Sequence, residues 1–211
     1  MVDPTLFLPA AFELAGHRCP ATPLGVRAGA AAMNHLGVAR SEDRSLYALL
    51  ELGDEHWAGC FADAIQTVTG CTAGKGNFRR LGYGKLALTL VDTTTGRAVR
   101  VAVRAEVLLE LKRSAFFQQY RRQGVPASQV PSEVAEPVIE RVLSAPDEIL
   151  LSVSEVFASD LAQAPEDCRS FVCDRCGEVV AEAHGRVAGT RQVCIPCQEA
   201  LLRQDGRTSA A

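Results

Sequence analysis

Two pairs of cysteines near the end of the chain constrain its folding most strongly. Cys173 and Cys176 form the first pair, Cys194 and Cys197 form the second, and seventeen residues separate the two pairs. This spacing lets all four sulfur atoms face one ion, and four thiolates complete the tetrahedral shell of a structural zinc ion. The alternatives are two redox-active pairs or unpaired thiols in a core.

The residues around these cysteines predict a small finger of the treble-clef or zinc-ribbon type over residues 171–211. Gly177 suits a tight turn after the first pair, and residues 198–203 continue from the second pair as a helix. From Cys173 to Ala211, five arginines balance five acidic residues, so the finger lacks the positive excess of a DNA-binding module. A role in stabilisation or in contact with a partner is favoured.

The preceding residues predict a larger α+β domain over residues 1–158, followed by a polar linker at 159–170. The pattern of apolar residues predicts helices at 23–37, 62–69 and 106–123 and a further helix that ends at residue 143, with strands at 46–52, 85–92, 98–104 and 149–156. The middle two strands flank a tight turn at Gly96 and predict a hairpin. Pro137 is expected near the first turn of its helix. Gly25, Gly29 and Ala32 give the first helix a face of small residues that can pack closely on a neighbour.

Composition narrows the class of protein. A net charge of −3 argues against a protein that neutralises nucleic-acid phosphates. No apolar run reaches the roughly 20 residues needed to cross a membrane, and the first residues lack the features of a secretory signal. We therefore expect a cytoplasmic protein with neither nucleic acid nor membrane as its partner.

A second group of reactive side chains lies in two separate stretches of the larger domain. Cys60 and Asp63 share a helix face, and Cys71 follows that helix. Near residue 18, His17 and Cys19 precede a predicted helix start, where the helix dipole favours a thiolate. If the stretches meet, they form a pocket suited to zinc or iron rather than magnesium. The alternative is that the three cysteines are small buried hydrophobic residues.

The loop after this helix is rich in glycine but does not match a phosphate-binding loop. Three residues, not four, separate Gly70 from Gly74, and a glycine follows Lys75. The residues Gly74, Lys75, Gly76 and Asn77 are still candidates for an anion-binding nest of backbone amides. The alternative is an ordinary surface turn.

Taken together, these motifs resemble the FmdE family of formylmethanofuran dehydrogenase. The resemblance rests on the stretch Gly16-His17-Arg18-Cys19-Pro20, on the string from Cys60 to Asn77, on Tyr83-Gly84-Lys85 and on the four-cysteine finger. It covers the chain closely to about residue 104 and the finger by type.

The resemblance implies an α+β domain that forms a homodimer, with a metal bound in a cleft near the dimer interface in addition to the zinc of the finger. The implied cleft positions are His17, Cys19, Cys60, Asp63 and Cys71. The family is named after operons for molybdenum or tungsten enzymes. Two positions depart from its usual His-Gly-His-x-Cys-Pro-Gly motif, since Ala15 stands for the first histidine and Ala21 for the last glycine. His56, four residues before Cys60, is a possible substitute ligand.

The sequence thus predicts a cytoplasmic, homodimeric, metal-binding accessory protein that supports a molybdenum or tungsten enzyme. The alternative is an enzyme that acts on a small molecule in the same cleft, with Cys60, Asp63 and Lys75 as candidate catalytic residues. A third hypothesis is an adaptor that binds through its finger.

Overall fold

The computed structural model describes residues 1–54, 58–161 and 168–204, so the candidate ligand His56 lies outside the described residues. The chain divides into two compact units, residues 1–163 and 164–211. The first unit combines helices with a sheet, which confirms the predicted fold class. None of the helices in the described residues is long and apolar enough to cross a bilayer.

In its described residues, the first unit contains six α-helices and a six-stranded sheet, besides short 3₁₀ and π-helical segments. The helices are α1 (Leu8–Ala15), α2 (Ala21–Leu36), α3 (Gly59–Thr69), α4 (Ala105–Leu111), α5 (Ser132–Ser144) and α6 (Asp147–Leu150). The strands are β1 (Leu46–Leu50), β2 (Phe78–Arg80), β3 (Ala87–Asp92), β4 (Arg97–Val103), β5 (Leu151–Val153) and β6 (Phe157–Ala158). The strand order is β2-β1-β3-β4-β5, and β6 also pairs with β4. Only the β1–β2 pair is parallel among these described strands.

The predicted hairpin and the predicted end of the helix at 23–37 are confirmed. Strands β3 and β4 pair from Ala87↔Ala102 to Asp92↔Arg97, and Gly96 adopts a φ of +68° in the turn between them. The Asp92 carboxylate accepts hydrogen bonds from the Thr94 and Thr95 hydroxyls, which fixes that turn. Helix α2 ends at Leu36, and Gly37 follows it in the left-handed conformation, at the end that the range 23–37 predicted.

Three other predictions are wrong in detail. The helix expected at 106–123 stops at Leu111, where the Ser114 hydroxyl bonds the Leu111 carbonyl, and the chain then forms a π-helical turn at Phe116–Tyr120. Pro137 lies inside α5, beyond its first turn. The strand expected at 149–156 shortens to β5, because residues 147–150 form α6. Strand β2 was not predicted, since its two arginines give it no apolar alternation.

Helices α2 and α3 cover one face of the sheet and pack on each other through glycines. A Cβ on Gly25 would lie 2.5 Å from the Phe61 carbonyl oxygen and 2.7 Å from the Ala64 Cβ. A Cβ on Gly29 would lie 2.3 Å from a methyl group of Val68. The contacts advance in the same direction along both helices, so the helices run parallel and their first turns lie side by side.

Over residues 168–204, the second unit contains two antiparallel strand pairs and one α-helix. Strand β7 (Ser170–Val172) pairs with β8 (Val179–Ala181), and β9 (Gly185–Ala188) pairs with β10 (Arg191–Cys194). Helix α7 (Ile195–Gln204) follows β10 directly. The small core of this unit contains Val193 and two of the cysteines.

The close helix contact predicts a strong effect of one methyl group at Gly25. We expect Gly25→Ala to destabilise the protein by about 1–3 kcal/mol, since backbone and Cβ atoms block the new group, even though alanine favours a helix by about 1 kcal/mol. Urea denaturation measures the effect. The matched control is Gly74→Ala, where the nearest atom is 4.0 Å away and we expect a change within about 0.5 kcal/mol. Equal stabilities of the two variants would contradict the close packing.

Candidate functional site

Three of the predicted cleft residues meet at the paired first turns of α2 and α3. One ligand atom each from His17, Cys19 and Cys60 lies within 4.8 Å of the other two. The Cys60 Sγ is 3.3 Å from the His17 Nε2. Cys19 is buried, and the other two side chains are half-buried. We call these three residues the cleft cluster.

The loop between α1 and α2 orients the imidazole of His17. Helix α1 ends at Ala15, and Gly16 takes a φ of +72° that reverses the chain. The His17 Nδ1 is 2.9 Å from the Ala15 carbonyl oxygen and donates to it. In the neutral imidazole, Nε2 then carries the lone pair, and it faces the Cys60 sulfur as metal binding requires. Because a backbone carbonyl does this, the alanine side chain at position 15 does not disturb it.

The two cysteines of the cleft cluster share a favourable place for one negative charge. Cys19 lies two residues before the start of α2 and Cys60 lies in the first turn of α3, so both sulfurs are near the partial positive charge of a helix N-terminus. The hydrogen bond from the Cys60 thiol, helped by Thr22, lowers the pKa of Cys19 to about 5. The same bond and burial raise the pKa of Cys60. Cys19 is therefore the more acidic of the two thiols.

An arginine between two members of the cleft cluster fastens their loop to the rest of the fold. The Arg18 guanidinium binds both oxygens of Glu136 on α5, at 2.5 and 2.9 Å, and lies 4.3 Å above the ring of Phe12. The Arg18 guanidinium lowers the pKa of Glu136. Sequence reasoning missed this clamp, because 118 positions separate the two residues and no local pattern joins them.

An apolar layer borders the cleft cluster. Cys19 packs in one buried group with Phe116 from the π-helical turn, Val130 and two α5 residues, Ala135 and Ile139. Cys60 and Phe117 lie at the margin of the same group. This layer excludes water on one side and strengthens electrostatic interactions there.

The donor set fits a zinc-like ion. Bond lengths of about 2.3 Å to sulfur and about 2.0 Å to nitrogen give tetrahedral ligand separations of roughly 3.5–3.8 Å. The 3.3 Å between the Cys60 sulfur and the His17 nitrogen approaches this value. Two cysteine thiolates and an imidazole nitrogen are also the ligand types that zinc and iron accept.

Asp63 and Cys71 do not belong to the cleft cluster as the structure describes it. Asp63 lies one helical turn beyond Cys60 and helps to raise the pKa of that thiol, but its carboxylate is outside the set of mutually close ligand atoms. Cys71 follows the opposite end of α3, and eleven helical residues span about 16 Å. It is fully buried in the main core, and burial raises its pKa to about 11.

The glycine-rich loop binds to the protein itself. The Lys75 ammonium donates to the Ser41 carbonyl at 3.0 Å, and the buried Asn77 side chain accepts from the Thr72 N–H and donates to the Leu46 carbonyl. Gly74 lies in the same turn, and Gly76 adopts a positive φ of 67°. The loop follows the C-terminal end of α3, so the structure does not bring Lys75 to Cys60.

The four cysteines of the second unit also converge. Their sulfurs lie within 4.8 Å of one another, and the Cys176 and Cys194 sulfurs are 3.9 Å apart, close to the roughly 3.8 Å edge of a tetrahedral four-sulfur shell. The backbone N–H groups of Cys176 and Cys194 donate to Cys173 and lower its pKa to about 6. Gly177 adopts a φ of +74° and closes the turn of the first pair. The unit is thus consistent with a small zinc-binding finger.

Comparison with known proteins identifies the family. A probable S-adenosyl-L-methionine-binding protein of Archaeoglobus fulgidus is 32% identical over 96% of this chain, which spans only 55% of that relative. The crystal structure of a tungsten formylmethanofuran dehydrogenase FmdE-like protein from Syntrophus aciditrophicus matches 93% of this chain and 92% of its own, with a TM-score of 0.58 and 20% identity, and so shares the fold. Residues 14–152 match the family described as FmdE, molybdenum formylmethanofuran dehydrogenase operon, and the chain therefore belongs to the FmdE family.

Proposed function

We propose that this protein is a cytoplasmic metal-binding accessory protein of the FmdE type that supports a molybdenum or tungsten enzyme. In this proposal the cleft cluster binds zinc or iron, and the four cysteines of the finger bind a structural zinc ion. The observation that carries the proposal is the convergence of His17, Cys19 and Cys60 at the first turns of two parallel helices. These residues come from two distant stretches of the sequence, and their metal-binding atoms lie within 4.8 Å of one another.

The number of protein ligands favours a site that binds a further molecule. Three protein ligands leave a coordination position for water or another ligand, whereas four thiolates close the shell of a structural site. In the cleft cluster, His17 supplies a nitrogen held in one tautomer, and the two cysteines supply sulfurs beside helix ends. A bound ion would act there as a Lewis acid.

Family membership supports the proposed partner and assembly. The name of the family refers to the operon of a molybdenum enzyme, which favours a role beside such an enzyme. We propose a homodimer because the family resemblance places the cleft near a dimer interface. The histidine that the family commonly has at position 15 is absent here, so the proposed ligand set contains one histidine only.

A second candidate function is an enzyme that acts on a small molecule at the same cluster. The open coordination position favours it, because catalytic zinc sites share that feature. Cys60 and Asp63 are then the candidate catalytic residues, and Lys75 is not, since its ammonium bonds a carbonyl near the other end of α3. This alternative is favoured over the accessory protein if the unaltered protein converts a small molecule and Asp63→Asn abolishes that conversion while the cleft cluster keeps its metal.

Metal analysis of single variants tests the cleft cluster. We expect the intact protein to bind two ions per chain, one at each converging group, and His17→Ala or Cys60→Ala to bind one. Elemental analysis after gel filtration measures this ratio. The matched control is Cys71→Ala, which removes a thiol outside both groups and should keep both ions. One ion in the intact protein, or the loss of an ion in Cys71→Ala, would contradict the proposed ligand set.

Chelation tests the structural role of the finger metal. We expect a strong chelator to abolish the protection of amide hydrogens in residues 168–204, because a core as small as Val193 and its neighbours cannot hold the finger alone. The sheet of the first unit should keep its protection. Hydrogen–deuterium exchange with mass spectrometry measures both, and added zinc should restore the finger. A finger that stays protected after complete metal removal would refute this role.

A further inference from the structure

A small apolar cavity adjoins the cleft cluster at Cys19. Its volume is about 20 Å³, which holds one group the size of a water molecule or a methyl group. Its walls are almost entirely apolar and include Cys19, Leu24, Leu108 and Leu111. Phe116 and Phe117 of the π-helical turn line it as well. A cavity with such walls favours the end of an apolar chain over water.

A basic groove adjoins this cavity and shares Phe117 with it. This open groove is lined by Lys112, Phe117, Gln118, Arg121 and Arg122. Two of these residues, Lys112 and Phe117, also line the cavity. Among the described residues, the lining of the groove contains three cationic side chains and no carboxylate. A positively charged surface thus continues from the apolar cavity that touches Cys19.

The charge of this segment is unusual within an acidic protein. Residues 112–122 contain four basic residues and no acidic one, although the whole chain has a net charge of −3. Glu110, the nearest preceding acid, binds Arg141 on α5 instead. One N–H of Arg121 bonds the Val125 carbonyl and one of Arg122 faces Gln118, but each guanidinium has five donors. The groove is thus a concentrated positive surface.

The backbone of the segment is unusual too. Residues Phe116–Tyr120 form a π-helix, which is rare and is frequent at functional sites. This turn places Phe116 in the cavity wall and Phe117 between cavity and groove. The π-helical turn therefore lines both the apolar cavity that Cys19 borders and the cationic groove.

We propose that residues 112–122 bind a small anionic molecule with an apolar end. Its carboxylate or phosphate group lies in the groove against Arg121 and Arg122, which bind such groups through paired N–H donors. Its apolar end enters the cavity and reaches Cys19. The inference rests on the proposed function in taking the cleft cluster as the centre that this molecule approaches, and it names the class of ligand.

Titration of the full-length protein with simple probes tests this class. The probes are n-alkyl carboxylates and n-alkyl phosphates of two to eight carbons, with the alcohols of equal length as uncharged controls, and calorimetry measures their binding. We expect one anion series to bind, with an affinity that rises with chain length and then falls when the cavity is full. The preferred series distinguishes a carboxylate from a phosphate ligand. The alcohols should bind far more weakly.

Two variants separate the charged part of the site from the apolar part. We expect Arg121→Gln combined with Arg122→Gln to weaken binding about tenfold, as two exposed charge contacts contribute roughly 1.4 kcal/mol together. Ala127→Val adds a branched pair of methyl groups that occupies the cavity, and it should abolish the dependence on chain length while short anions still bind. Arg79→Gln, an exposed arginine on β2, is the matched control and should change nothing. An unchanged thermal transition shows that each variant is folded.

Several results would overturn the inference. They are equal binding of alcohols and anions, no binding of either anion series, or no effect of the double arginine variant. Tighter binding of single-stranded RNA or of anionic vesicles would also overturn it, because the groove would then serve a polyanion. Anion binding to a protein without metal in the cleft cluster would refute the proposed function alone. Metal in the cluster with no anion binding would refute this inference alone.

Discussion

The close parallel contact between α2 and α3 is the interaction on which the rest of the site depends. Gly25 and Gly29 remove the side chains that would otherwise hold the two helices apart, so the Phe61 carbonyl and Val68 lie almost against the α2 backbone. Parallel packing then sets the first turns of both helices next to each other. The cleft cluster forms there because Cys19 precedes one helix and Cys60 begins the other.

The same arrangement explains the chemistry of the cluster. The N-termini of two helices lie near the sulfurs of Cys19 and Cys60, and the Ala15 carbonyl orients the imidazole of His17. The Arg18–Glu136 ion pair connects the loop to α5. The proposed metal binding and the stability of the fold therefore depend on the same contacts. The segment between α4 and α5 adds an apolar cover on one side and a positive surface beyond it. The arrangement of the site thus depends on the close contact of α2 and α3 at the two glycines.

Local patterns in the sequence predicted much of this fold, but they did not predict contacts between residues that are far apart in the sequence. The alternation around Gly96 gave the hairpin, and the four-cysteine spacing gave the converging group of the finger. The small face of α2 indicated close packing but not its partner. Cys60 and Cys71 lie near each other in the sequence, yet a helix holds them at opposite ends, so only the structure could separate them. The apolar residues keep their helical spacing across the break after Leu111, where the Ser114 hydroxyl bonds the Leu111 carbonyl, so the pattern did not reveal the break.

A crystal structure with anomalous data collected at the metal absorption edges tests the central claim most directly. The account predicts a peak in the first unit within about 2.0–2.4 Å of the His17 Nε2 and the Cys19 and Cys60 sulfurs, distinct from the peak of the finger. A first unit without a peak, in crystals of metal-replete protein, would contradict it. A peak bound by Cys71, or by only one member of the cleft cluster, would contradict it equally.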